Sequence, residues 1–160
     1  MKRVLDPVER VSEVIFGVLM AMTFIGALSV ADSGRQDVRT AMIAALGCNL
    51  AWGLADAVMY IVGTLTERTR EGTRLTLDDY QGAVGVFLLV ALSTFPLVVP
   101  FLVFGELKPA LLASRLVALA MLFLGGWLLA RYAGGKPWRW GSGLAAVGAV
   151  LLAAIMALGG

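Results

Sequence analysis

The residues of this chain that could do chemistry are a few polar side chains within long apolar stretches. Asp56 lies in the apolar stretch 38–63, about five residues beyond its middle, which is roughly 7 Å along a helix. Five polar or small residues recur there at the spacing of one helical face: Asn49, Gly53, Asp56, Tyr60 and Gly63. An ionisable residue inside a membrane is costly, so it marks a candidate ion or proton site. We therefore expect Asp56 and Asn49 either to bind a proton or cation, or only to join helices through polar contacts.

Further side chains could complete a metal site. Glu13 lies near the start of the first apolar stretch, where it could attract a cation or pair with Arg10. Methionine thioethers suit a soft ion such as Cu(I) or, less well, Fe(II), although methionine also fills gaps in apolar cores. The candidate metal ligands are Asp56, Asn49, Met20, Glu13 and Met59.

The composition excludes several kinds of chemistry. The chain has no histidine and a single cysteine, Cys48, so it lacks the commonest transition-metal ligand and cannot form a disulfide within the chain. No nucleophile, phosphate-binding or dinucleotide-binding motif is present, so we expect neither enzymatic activity nor a cofactor. The net charge of +2 does not indicate nucleic acid binding, because the basic residues flank apolar stretches instead of forming a patch.

The candidate residues belong to a chain with the composition of a membrane protein. Of its 160 residues, 59% are hydrophobic and 15% are charged, against about 45–50% and about 25% in soluble domains. Five apolar stretches are long enough to cross a bilayer as helices: 11–31, 38–63, 82–104, 109–132 and 140–158. None alternates polar and apolar residues as a membrane strand would. We therefore predict an all-α fold, with five transmembrane helices in one bundle that forms a single domain over residues 1–160.

The basic residues predict the orientation of this bundle. With the N-terminus in the cytoplasm, nine lysines and arginines fall on the inner side and three on the outer side, in accord with the positive-inside rule. Residues 64–81 then form a cytoplasmic loop, and the C-terminus lies on the opposite side of the membrane. The first stretch could instead be a cleaved signal peptide, but its length and the acidic residues around it favour a permanent span. We expect a multi-pass integral membrane protein surrounded by lipid.

Four segments of the chain resemble those of a known protein family. The segment EVIFGV at 13–18 resembles the start of that family's first helix, and FPLVVPFL at 95–102 resembles its Pro-Leu-x-x-Pro segment in the third helix. Residues 114–125 and the glycine-rich fifth helix follow the same scheme. With five spans and a cytoplasmic insertion after the second, the chain resembles the vacuolar iron transporter family over nearly its whole length. The resemblance implies a homodimer that moves Fe(II) or Mn(II) out of the cytoplasm in exchange for protons.

The metal site departs from the pattern of that family. The family carries an Asp-Gly pair where this chain has Met20 and Ala21, and its second-helix glutamate falls at Asn49. Its methionine falls near Ala57, next to Asp56 and close to Met59, and its long metal-capturing insertion is reduced to residues 64–81. The resemblance therefore covers the scaffold more fully than the metal ligands.

Two functions follow from these observations. The first is a proton-coupled exporter of divalent transition-metal cations that uses Asp56 with Asn49, Met20 and Glu13, with metal and proton as its substrates. The alternative is a non-transporting membrane scaffold or partner subunit that retains the fold. The buried position of Asp56 favours transport, whereas the missing family carboxylates favour the scaffold.

Overall fold

The computed structural model describes residues 5–31 and 38–158 of the chain. Within these residues it contains six helices and no strand: α1 (Pro7–Ala31), α2 (Val38–Arg70), α3 (Leu77–Ser93), α4 (Phe95–Val103), α5 (Leu107–Ala133) and α6 (Pro137–Leu158). Five segments of this part of the chain are long and apolar enough to cross a membrane, with α3 and α4 counted as one segment. The predicted all-α fold with five such helical segments is confirmed, and it is compatible with a multi-pass integral membrane protein.

Local hydrogen bonds set the start of α1. The Asp6 N–H donates to the Glu9 carboxylate at 2.7 Å, and the Glu9 N–H donates to the Asp6 carboxylate at 2.8 Å. Pro7 occupies the first turn, where its missing N–H costs least. This reciprocal cap begins the helix at Pro7 instead of at residue 11, where the apolar pattern starts.

The second helix continues to Arg70, so part of the predicted loop 64–81 is helical. The hydroxyls of Thr66 and Thr69 donate to carbonyl oxygens one turn earlier at 2.8 and 2.7 Å, so these polar residues do not interrupt the helix. Its 33 residues extend about 50 Å, whereas the hydrocarbon core of a bilayer is about 30 Å thick. The polar end of α2 therefore extends beyond the apolar part of the bundle, and the link to α3 is limited to residues 71–76.

The third predicted span, 82–104, consists of two helices that meet at Thr94. Pro96 and Pro100 cannot donate a backbone hydrogen bond, and their rings crowd the preceding turn. The two prolines predict a kink, and the structure interrupts the helix at one residue: α3 ends at Ser93, α4 begins at Phe95, and Thr94 between them keeps helical backbone angles, with φ of −75° and ψ of −30°. The break leaves backbone carbonyl groups inside the bundle that need other partners.

The apolar core packs α1 against α4 and α5. Its most deeply buried side chains are Val18, Met22, Ile25, Leu97 and Leu122. Without water in a bilayer, such contacts stabilise the bundle mainly through close packing. The α1 helix also contacts α2 and α3, and the polar residues lie along that side of the bundle.

The last two helices, α5 and α6, pack against each other. Gly134, with a φ of 72°, ends α5 in the left-handed conformation that glycine adopts without strain. Across this turn, the rings of Phe123 and Trp127 in α5 and of Trp138 in α6 lie with their centroids 5.0 to 5.9 Å apart. These aromatic contacts fix the end of the α5–α6 pair.

Candidate functional site

Asn49 of α2 lies at a junction of three helices, where its side chain is 1% exposed. Its amide nitrogen lies 3.1 Å from the Val90 carbonyl oxygen of α3 and 3.4 Å from the Gly17 carbonyl oxygen of α1. It also donates to the Thr94 hydroxyl at the helix break. Polar contacts of this kind hold membrane helices together. Asn49 thus makes the contacts expected of a residue that joins helices.

The interruption at Thr94 explains why the Val90 carbonyl is free to bind Asn49. In a continuous helix the Thr94 N–H would donate to the Val90 carbonyl, but here it donates to the Ala91 carbonyl at 3.3 Å. The Val90 carbonyl instead accepts from the Ser93 hydroxyl at 2.7 Å and from Asn49. A buried carbonyl without a partner costs free energy, so the two side chains compensate for the break.

Gly17 allows α1 to approach this junction closely. A Cβ atom at this position would lie 2.8 Å from the Val90 carbonyl oxygen and 3.0 Å from Val90 Cα, and it would overlap the Ser93 hydroxyl. Gly53 of α2 plays a weaker version of the same role, because a Cβ there would lie 3.3 Å from the Phe87 carbonyl oxygen. Small residues on two helices therefore bring the backbones together around the polar junction.

Two carboxyl groups meet about two helical turns along α2 from Asn49. Asp56 of α2 and Glu13 of α1 lie within hydrogen-bonding reach of each other, and both side chains are half-buried. Glu13 therefore contacts Asp56 and does not pair with Arg10, whose Nε donates to the Leu5 carbonyl at 3.1 Å. Two carboxylates in contact repel each other unless they share a proton or bind a cation.

Asn49 and Asp56 each present a buried oxygen to the interior. Within the described residues, no hydrogen-bond donor reaches Asn49 Oδ1 or Asp56 Oδ2. The two residues lie on one face of α2, about 10 Å apart along the helix. Because buried acceptors in proteins are nearly always paired, these oxygens are candidate positions for a proton, a water molecule or a cation.

The predicted thioether ligands contribute less to this arrangement. Met59 is 64% exposed, so its side chain lies on the outer surface of the single chain and away from the carboxyl pair. Met20 is half-buried on α1, one turn beyond Gly17. In the part of the chain that the structure describes, no group of three or more histidine, cysteine, aspartate or glutamate residues lies together. The candidate cation ligands brought together are thus Glu13 and Asp56.

The polar stripe of α2 faces α3 over most of its length. Beyond Asp56, the ring of Tyr60 packs so tightly on Gly82 of α3 that a Cβ there would lie 2.8 Å from Tyr60 Cε1. The last member of the predicted stripe, Gly63, is exposed and has no neighbour within 4 Å of a Cβ built on it. The stripe therefore faces the interior from Asn49 to Tyr60 and then leaves it.

An ion pair closes the α2–α3 hairpin at the polar end of the bundle. Arg68 Nη2 lies 2.9 Å from a carboxylate oxygen of Asp79. Asp79 also accepts hydrogen bonds from the backbone N–H and the hydroxyl of Thr76, at 2.7 and 2.8 Å, and so caps α3. Its carboxylate is fully engaged in structural contacts.

Sequence reasoning identified Asp56, Asn49 and Glu13 but not the contacts among them. The Glu13–Asp56 contact depends on how closely α1 packs against α2, which no local pattern specifies. The roles of Ser93 and Thr94 have a local signal, since these two hydroxyl residues lie three and two positions before the helix-breaking Pro96. The comparisons with known proteins add no further assignment: no family model matches this chain, and no curated protein matches it.

Proposed function

We propose that this chain is a membrane transporter of divalent transition-metal cations, of the iron or manganese class, that exports its cation from the cytoplasm in exchange for protons. One observation carries the proposal: Glu13 and Asp56 contact each other between two helices that are long and apolar enough to cross a membrane. Ionisable residues at such positions usually serve ion or proton pathways. The resemblance to the vacuolar iron transporter family supports the same function.

The chemistry follows from the charge of the carboxyl pair. With one shared proton, the pair carries one negative charge and the repulsion between its oxygens is relieved. A divalent cation would bind both carboxylates and displace that proton, because carboxylate oxygens are suitable ligands for Mn(II) and Fe(II). Release of the cation would allow a proton to return. Metal and proton would therefore move in opposite directions through one pair of residues.

The remaining candidate ligands would extend the cation path beyond the carboxyl pair. Asn49 Oδ1 is an unpaired acceptor on the same face of α2 and would be the next oxygen for a cation that passes Asp56. Met20 would add a soft contact from α1. The exposed Met59 would take part only where a second copy of the chain covers that face, as in the homodimer that the family resemblance implies.

A flux assay with matched variants tests this function. Purified protein in liposomes would be given Fe(II), Mn(II), Co(II) or Zn(II), with metal-sensitive and pH-sensitive dyes inside. We expect metal uptake with opposed proton movement in the wild type, and rates no higher than those of empty liposomes in Asp56→Asn and Glu13→Gln. Asp78→Asn is the control, because Asp78 is an exposed carboxylate near the same end of the bundle. Equal flux in wild type and Asp56→Asn would refute the mechanism.

A specific observation favours the second candidate, a non-transporting scaffold or partner subunit. Asn49 stands where the related family has a glutamate. Its amide nitrogen hydrogen-bonds to α1 and α3, which favours a role in holding these helices together. If the wild-type protein forms a stable dimer but moves none of the four metals, the scaffold is the better description.

A further inference from the structure

Two adjoining grooves open on the surface of the bundle between α1, α3 and α5. The first has a volume of about 260 Å³ and an aliphatic lining: Val11, Val14, Leu89, Met121, Leu124 and Leu128. The second, of about 380 Å³, lies between the start of α1 and the part of α3 from Gln81 to Leu89. Arg10 and Leu89 line both grooves, so the two lie side by side. Single ligand clefts measure about 300–1,000 Å³, so the pair has room for an elongated ligand.

The grooves change from charged to apolar along the bundle. Arg10 lies in the first turns of α1, and Gln81 lines the second groove near the start of α3. From Arg10 the first groove continues along α1 towards its C-terminal end, beside Val11 and Val14. Leu124 and Leu128 on the facing helix are 58% and 42% exposed, so the apolar part is open to the surroundings of the bundle.

Arg10 brings to this groove a positive charge that is not ion-paired within the described residues. Its Nε is held by the Leu5 carbonyl at 3.1 Å, and within the described residues no carboxylate forms an ion pair with it. The neighbouring Asp6 and Glu9 carboxylates accept backbone hydrogen bonds in the cap of α1, so neither holds the guanidinium. Arg131, one turn beyond the groove on α5, adds a second exposed positive charge at this end.

We propose that the two grooves bind one anionic phospholipid from the surrounding membrane. A phospholipid has its phosphate at the membrane interface and its acyl chains in the hydrocarbon, which is the order of charge and apolar surface along the groove. The Arg10 guanidinium binds the phosphate through its free nitrogens, since arginine matches phosphate geometry. Basic pockets between membrane helices recognise anionic lipid headgroups in this way. The site is separate from the carboxyl pair and does not depend on transport.

Native mass spectrometry of the purified full-length protein tests this site. The protein would be incubated in detergent with phosphatidylglycerol or phosphatidylcholine, and the bound lipid counted. We expect one phosphatidylglycerol to be retained in preference to phosphatidylcholine, and Arg10→Gln to weaken phosphatidylglycerol binding about fivefold. Leu124→Trp fills the apolar groove and should abolish binding of both lipids. Arg70→Gln removes an exposed charge at the end of α2, outside the grooves, and should change nothing.

Three results would overturn the proposal. Unchanged preference for phosphatidylglycerol in Arg10→Gln would show that Arg10 does not bind the headgroup. An equal loss in Arg70→Gln would indicate attraction to the general basic surface. Lipid retention in Leu124→Trp, combined with disulfide cross-linking between copies that carry Leu124→Cys, would show that a second chain covers the groove instead. Thermal unfolding of each variant establishes that it is folded, so a loss of binding is attributable to the site.

Discussion

At the scale of single residues, the polar junction depends on Gly17 as much as on Asn49. Asn49 supplies the hydrogen bonds to α1 and α3, but its amide reaches the Gly17 carbonyl only because no side chain separates α1 from Val90. The sequence identified Asn49 as a polar residue at helical spacing with Asp56. It did not identify Gly17 as the partner, because glycine is common in membrane helices and does not by itself indicate which helix approaches it.

We predict that Gly17→Ala destabilises the protein by about 1–3 kcal/mol, because the added methyl group overlaps the α3 backbone and the Ser93 hydroxyl. Unfolding in mixed micelles, followed by circular dichroism, measures the effect. Gly47→Ala is the matched control on α2: a Cβ there has no neighbour within 4 Å. It should leave the stability unchanged or raise it by up to about 1 kcal/mol through helix propensity. Equal stability of the two variants would contradict the close packing at Gly17.

At the scale of helices, the apolar pattern located the elements and the polar residues set their ends. The predicted limits at residues 11, 63 and 82 mark where apolar character begins or stops, whereas the helices extend to Pro7, Arg70 and Leu77. Capping bonds at Asp6 and Asp79, and helical threonines near Arg70, extend the helices beyond the apolar limits. Because hydropathy does not register such hydrogen bonds, it underestimates helix length at polar ends.

The α2–α3 hairpin provides a prediction at this scale. Asp79→Ala removes both the cap of α3 and the ion pair with Arg68, so the first turn of α3 should fray. We expect faster hydrogen–deuterium exchange over residues 76–82 and a melting temperature lower by a few degrees. Asp78→Ala, next in the chain and exposed, should leave both unchanged. The same exchange rate in both variants would mean that the hairpin does not depend on Asp79.

At the scale of the whole molecule, composition and the five apolar stretches were sufficient to predict the fold class. The contact between Glu13 and Asp56 was beyond sequence reasoning, because it depends on the rotation and spacing of two helices that are distant in the chain. The orientation in the membrane is a further property of the whole chain, and it stays a prediction from the distribution of lysine and arginine.

We predict that the α2–α3 link faces the cytoplasm and the α4–α5 link faces the opposite side. In a Cys48→Ser background, single cysteines at Glu71→Cys and Gly105→Cys probe two exposed positions in these links. An impermeant maleimide should label position 71 only in inside-out vesicles and position 105 only in intact cells. The reverse labelling pattern would overturn the positive-inside assignment and, with it, the proposed direction of export.

The unpaired oxygens on α2 have a consequence for the sign of any charge that enters the bundle. The Asn49 amide nitrogen donates to other helices, so only its side-chain oxygen is available to an entering ion. Asp56 likewise presents a carboxylate oxygen without a partner. An anion at this level would meet the lone pairs of these two oxygens. These two oxygens therefore disfavour chloride or phosphate beside them, because the Asn49 amide directs its N–H groups at neighbouring helices.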